Sequence, residues 1–113
     1  METDKLKDMF ERQKKFQELL KNFPITLVTQ RKELINNFSL ALIVETTEAL
    51  QETNWKPWQK NGFYDKSKFQ NEIVDCWHFL INLSLIAFDN EEDFYRKFIE
   101  KNNENIKRQE RGY

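Results

Sequence analysis

The sequence is poor in everything that breaks or staples a chain. Among its 113 residues the only glycines are Gly62 and Gly112, and the only prolines are Pro24 and Pro57. A strand-rich domain needs frequent tight turns, which draw on both residue types, so this scarcity favours a few long helices. A single cysteine, Cys76, excludes an intramolecular disulfide and fits a reducing compartment. The single histidine, His78, argues against a zinc centre. The stretch METDKLKDMFERQKKFQ is charged throughout and holds no apolar signal core, and no run reaches 18 apolar residues. A cytoplasmic protein without a membrane span is expected. Nor does one sign of charge dominate. With 18 Lys and Arg against 19 Asp and Glu, the net charge of -1 offers no bulk attraction to nucleic acid or membrane.

What the chain does have is helical periodicity. Leu6, Met9, Phe10, Gln13, Phe16 and Leu20 recur at helical spacing, with Pro24 as the stop. A second helix is expected from about Gln30 to Gln51, with Leu34, Phe38, Ala41 and Leu42 on its inner stripe. ETNWKPWQKNGFYDKS breaks the pattern as the main loop. Ser67 and Gln70 have the spacing of a capping box opening a third helix that runs to about Phe88. Asp89 or Asn90 can cap a fourth, from about Glu91 to Gln109. No repeat, linker or low-complexity segment appears, so a single all-α domain over residues 1–113 is expected, an antiparallel four-helix bundle.

The informative feature is where the acids fall. At 100° per residue, Glu45 lies roughly 20° from Leu34 and from Phe38, and Glu48 about 20° from Ala41. On the third helix Glu72 lies about 20° from Phe79 and Leu83, and Asp75 shares a face with Phe79 and Asn82. Two helices thus each project an i, i+3 acid pair toward the interior. Four inward carboxylates repel one another unless something positive lies between them. A hard divalent cation with oxygen ligands, Mg²⁺ or Mn²⁺, resolves this better than zinc. A ferritin-type di-iron site would want Glu-x-x-His on two helices, and the chain has no such motif. The competing reading is a set of buried acids paired with Lys or Arg.

These residues also carry a resemblance. ETTE followed by EIVD is similar to the Glu-x-x-Glu … Glu-x-x-Asp signature of the all-α nucleoside triphosphate pyrophosphohydrolases, the superfamily of the MazG-like enzymes and the dimeric dUTPases. NWKPWQK, DCWHFL and KNNENIKRQERGY resemble segments of the dUTPase branch, as does FERQKKFQ in the first helix. The likeness runs along almost the whole chain. It departs at Pro57 and Gln59, where the family usually has Trp and Lys, and at Gln17, where related enzymes often carry Asn. Only Cys76 to Glu100 separates the second acid motif from the C-terminal one, a shortened form that would complete its site from a second subunit.

The resemblance implies Mg²⁺-dependent hydrolysis of a nucleoside triphosphate to its monophosphate and pyrophosphate, with dUTP as the favoured substrate. Glu45, Glu48, Glu72 and Asp75 would be the metal ligands and the catalytic acids, with Glu45 or Glu48 orienting the water. Lys56, Lys101, Asn105, Arg108 and Tyr113 would contact the phosphates. Gln13, Gln17, Trp55, His78, Phe79 and Asn82 would line the base and sugar pocket, with Phe79 stacking on the base. Two other functions compete. One is a MazG-like pyrophosphatase for another nucleotide, such as dCTP or a purine nucleotide. The other is a non-catalytic helical module that dimerises and binds a partner protein. Under each reading the third helix is apolar around its circumference, more than one chain can cover. A homodimer is the expected minimum, and a tetramer is compatible.

Overall fold

The structure, a computed structural model, describes residues 2–58 and 64–112. Four helices account for most of them: α1 (Lys5–Leu19), α2 (Val28–Gln51), α3 (Lys66–Ala87) and α4 (Glu91–Glu110). No strand occurs among the described residues. None of the helices is long and apolar enough to cross a membrane.

The helix ends show which local signals won. Asp4 caps α1 by accepting from the Lys7 amide at 3.1 Å. At the other end α1 stops five residues before Pro24. Lys21 takes up φ 63°, and the amides of Lys21 and Asn22 turn back to the carbonyls of Glu18 and Gln17, both at 3.0 Å. That is a Schellman stop, which satisfies the last carbonyls without proline. Gln30 was the expected start of α2; instead it lies inside the first turn and accepts from the Thr26 amide at 3.1 Å. The Ser67–Gln70 capping box does not form. Asp65 is the cap, accepting from the Lys68 amide at 3.1 Å, because helical geometry already begins at Lys66. Asn90, rather than Asp89, caps α4 through the Asp93 amide at 3.0 Å.

Helices α2 and α3 form the spine. Phe38 meets Phe79 with ring centroids 6.4 Å apart, and the Thr46 hydroxyl lies 3.6 Å from the Cys76 sulfur. The pairings advance along one helix as they retreat along the other, so the two run antiparallel. Helix α1 lies against α3 in the parallel sense: Gln13 bonds to Asn82, and Leu6 lines one groove with Val74. Helix α4 meets the rest chiefly on α1, through Phe94 stacked near Phe10 (5.7 Å) and Phe88 (5.6 Å). Beyond that first turn α4 is exposed along its length. Its helicity is supported locally, by Glu91, Glu92 and Asp93 at the positive end of the dipole and Lys107 and Arg108 at the negative end. Side-chain pairs Lys97–Glu100 (3.5 Å) and Arg108–Glu104 (2.8 Å) add a few tenths of a kcal/mol each.

The core within one chain is small. Phe10, Leu34, Phe38, Ala49, Cys76 and Ile81 are the buried apolar residues among those described. Leu40, Ile43 and Val44 on α2, and Val74, Trp77 and Leu80 on α3, remain exposed. The radius of gyration is 17.5 Å, against about 13 Å for a compact domain of this length. The accessible surface is 9311 Å², roughly 2,700 Å² more than a compact monomer of this mass presents. The fold has surface left to bury.

Candidate active site

Two turns separate Phe38 from Glu45 along α2, and two turns separate Phe79 from Glu72 along α3. The antiparallel register that pairs the phenylalanines therefore also brings the two glutamates together. Asp75, one turn on from Glu72, joins them. One carboxylate oxygen from each of Glu45, Glu72 and Asp75 lies within 4.8 Å of the others. Oε2 of Glu45 and Oε2 of Glu72 are buried and have no hydrogen-bond partner. Glu48 sits one turn beyond Glu45, is more exposed and stands outside this trio.

No Lys or Arg salt bridge reaches these acids among the described residues; Asp75 has only His78, whose Nδ1 is 3.9 Å from Oδ1. The competing picture of acids neutralised by Lys or Arg is thus absent among the described residues. Instead they burden one another. Glu45 is pushed up from 4.5 to about 7, first by sharing a hydrogen bond with Glu72, then by burial, then by the charges of Glu48 and Asp75. Three converging oxygens, two of them orphaned, held at the cost of a displaced pKa, suit a divalent cation with oxygen ligands. Glu45, Glu72 and Asp75 would hold it.

Next to the acids is a cleft of about 500 Å³ between α1, α2 and α3. Glu45 and Asp75 form one end. Gln13, Gln17, His78, Phe79 and Asn82 line the remainder, together with Phe38. Five of the six residues expected at a base and sugar pocket are therefore gathered beside the acids. Gln13, an amide within the apolar stripe of α1, finds its partner here: its Nε2 donates to Asn82 Oδ1 at 2.8 Å. Asn82 is 2% exposed, so this bond replaces water that it cannot otherwise reach. Replacing Asn82 with alanine should cost about 1–3 kcal/mol by leaving the Gln13 amide short of an acceptor. Urea unfolding measures it, and an unchanged midpoint would remove the bond from the account.

Other expected residues lie elsewhere. Trp55 and Lys56 are on the connection after α2, with the Lys56 ammonium 6.0 Å and the Trp58 ring 6.4 Å from the centre of the Trp55 ring. They leave α2 at the same end as Glu48 but do not line the cleft. Lys101, Asn105 and Arg108 are exposed on α4, which contributes nothing to the cleft wall. Tyr113, Gln59 and Lys60 lie outside the described residues. The structure also adds residues that were not expected at the site. Phe38 faces Phe79, and its helical position two turns before Glu45 was the available signal. The Asn22 side-chain amide donates to Gln17 Oε1 at 2.8 Å and lines the cleft. No periodicity marks a turn residue of that kind.

A family model for dUTPase matches residues 5–88, which span α1, α2 and α3 and every wall of this cleft. The chain belongs to the dUTPase family. No curated protein and no solved structure gives a significant match. As a dUTPase-family protein the chain is a hydrolase of the nucleoside triphosphate diphosphatase type, all-helical, acting on a nucleotide. The match of this dUTPase-family enzyme ends at residue 88, so α4, which begins at Glu91, lies outside it.

Proposed function

We propose that the enzyme hydrolyses dUTP to dUMP and pyrophosphate with Mg²⁺, or Mn²⁺ in its place. One observation carries the reading: Glu45 and Asp75, from an acid trio without Lys or Arg partners among the described residues, line the same cleft as a set of amides and aromatic rings. A nucleoside triphosphate has that same polarity, a polyanion at one end and a flat base at the other.

Glu45, Glu72 and Asp75 would hold the cation, which when bound would supply neutralisation of phosphate charge and a more acidic attacking water. The residues of the chain do the rest. Glu48, outside the trio yet close enough to disturb Glu45, is placed to accept the proton of that water. The water oxygen then bonds to a phosphorus of the α–β anhydride, the bond from that phosphorus to the bridging oxygen breaks, and dUMP and pyrophosphate leave. Phe79, with Phe38 behind it, gives the base a face to stack on. Gln13 and Asn82 offer an amide carbonyl and an amide NH₂ beyond the bond they share, the complement of a base edge with both donors and acceptors. His78 lines the same wall near Asp75.

The enzyme acts as a homo-oligomer, at least a dimer, because α2 and α3 leave large apolar side chains unburied. A panel of nucleoside triphosphates with pyrophosphate detection tests the function. The highest kcat/KM is expected for dUTP, with activity lost on chelation of divalent ions. A preference for dCTP or a purine nucleotide would make the enzyme a MazG-like pyrophosphatase for that base. No pyrophosphate from any of them would leave the non-catalytic helical module.

A further inference from the structure

Gln17 is held from behind by the turn that follows α1. The left-handed conformation of Lys21 brings the next residue back under the helix, where the Asn22 backbone amide bonds to the Gln17 backbone carbonyl at 3.0 Å. The Asn22 side chain then donates to Gln17 Oε1 at 2.8 Å. Asn22 is itself pinned by Gln30, whose Nε2 donates to the Asn22 carbonyl at 3.1 Å while its Oε1 accepts from the Thr26 amide, also at 3.1 Å. Both partners of Gln30 are backbone groups, one able only to accept and the other only to donate, so its amide has a single orientation. Gln17 is 4% exposed. Its NH₂ has no partner among the described residues, yet the nitrogen is not sealed off, and Gln17 lines the cleft.

Position along the helices decides what that NH₂ meets. Helix α3 runs from Glu72 and Asp75 toward Asn82, Asn82 pairs with Gln13, and α1 lies parallel to α3. Gln17 therefore stands one turn, about 6 Å, further from the acids than Gln13. On the dUTP reading the triphosphate lies at the acids and the base follows the sugar outward. The 2-carbonyl of a pyrimidine adjoins the ring nitrogen that carries the sugar, whereas the 4-position is on the far side. That position is a carbonyl in uracil and an amino group in cytosine.

We infer that Asn22 is a positioning residue for base choice: by occupying Gln17 Oε1 it turns the Gln17 NH₂ toward the 4-position, and so favours uracil over cytosine. Gln17 donates to the 4-carbonyl of uracil. Against the 4-amino group of cytosine it sets donor against donor, and both stay unsatisfied. The choice of base rests on the dUTP reading; the hold of Asn22 on the Gln17 amide does not.

Asn22→Asp tests this. An ionised carboxylate can only accept, so Gln17 has to turn its NH₂ to position 22 and show its carbonyl to the cleft. The kcat/KM for dUTP is expected to fall about 30-fold, while that for dCTP rises. Asn22→Ala, which leaves Gln17 free to turn either way, should cost dUTP only roughly threefold and give dCTP no gain. A residue that merely shapes the turn would show the reverse order, alanine worse than aspartate, with both nucleotides losing alike. That result would overturn the proposal, as would an unchanged ratio of dUTP to dCTP in Asn22→Asp. A second measurement needs no turnover. In ¹⁵N spectra the Gln17 side-chain NH₂ of the wild-type enzyme should exchange freely with water, and slow on addition of dUMP but not of dCMP. In Asn22→Asp it should be protected with neither present. A Gln17 NH₂ already protected in the empty wild-type enzyme would sink the proposal. Wild-type protein inactive on both nucleotides, yet with free exchange that Asn22→Asp abolishes, would remove the hydrolase reading and leave the hold of Asn22 on Gln17 standing.

Discussion

Asp75→Asn is expected to lower pyrophosphate release from dUTP by about 10³-fold or more, on the order of 4 kcal/mol of barrier. The change keeps the size of the side chain and its place one turn beyond Glu72. It removes a negative charge from a trio whose ligand oxygens lie within 4.8 Å of one another. A hard cation loses a charged ligand and gains a neutral amide in a site with few other donors. Glu72→Gln should act as strongly, since Glu72 Oε2 is one of the two buried oxygens without a partner. Neither substitution should impair folding, because both relieve repulsion among the acids. The suitable control is Asp8→Asn, an acid on α1 whose contact is Arg12 at 3.0 Å, far from the trio in sequence and on another face. Turnover of Asp75→Asn within a few fold of wild type, at saturating Mg²⁺, would show that the trio is not the catalytic centre.

The second large effect is on stability, and its sign depends on pH. Without a divalent ion, folded Glu45 holds its proton up to about pH 7, whereas the unfolded side chain releases it near 4.5. Between these values the folded state binds more protons than the unfolded one, so stability falls as pH rises through that window. The metal-free protein should melt roughly 10 °C lower at pH 8 than at pH 5, about 2.5 kcal/mol from this group. Mg²⁺ reverses the trend. It needs the carboxylate without its proton, so its binding strengthens as pH rises toward 8. At 100 times its Kd it adds about 2.7 kcal/mol, or roughly 10–20 °C for a domain of this size. Glu45→Gln separates the two effects: it should raise the melting temperature of the metal-free protein at pH 8 and abolish the gain from Mg²⁺. Thermal melts at the two pH values, with and without Mg²⁺, measure all four quantities. A Mg²⁺ gain that survives Glu45→Gln would place the ion elsewhere.

Much of the arrangement was legible because helices convert spacing into direction. Glu45, Glu72 and Asp75 could be assigned to interior faces before any contact was known, whereas Glu48, expected on the same stripe as Glu45, is exposed. The family resemblance drew on the same residues and is supported by the match over residues 5–88. Caps were legible only where one residue dominated. Asn90 was among the expected caps, but Ser67 lost to Asp65, which binds the Lys68 amide and begins the helix two residues earlier. The end of α1 was set by a backbone turn at Lys21 rather than by Pro24, and sequence gives little warning of a lysine at positive φ.

By itself the sequence determined four helices and an all-α class, because these follow from composition and from a period of 3.6 residues; of the four acids expected to face inward, Glu48 is exposed. Register and depth it could not determine. Only the antiparallel packing of α2 on α3 decided that Glu45, Glu72 and Asp75 meet while Glu48 stays outside, since that depends on how far one helix slides past another. Only the packing of α1 gave Gln13 its partner in Asn82 and turned scattered amides and rings into one cleft. The tertiary structure also set α4 apart from the acids. A helix reports its own faces through local spacing, but what lies against each face depends on contacts between residues far apart in the chain.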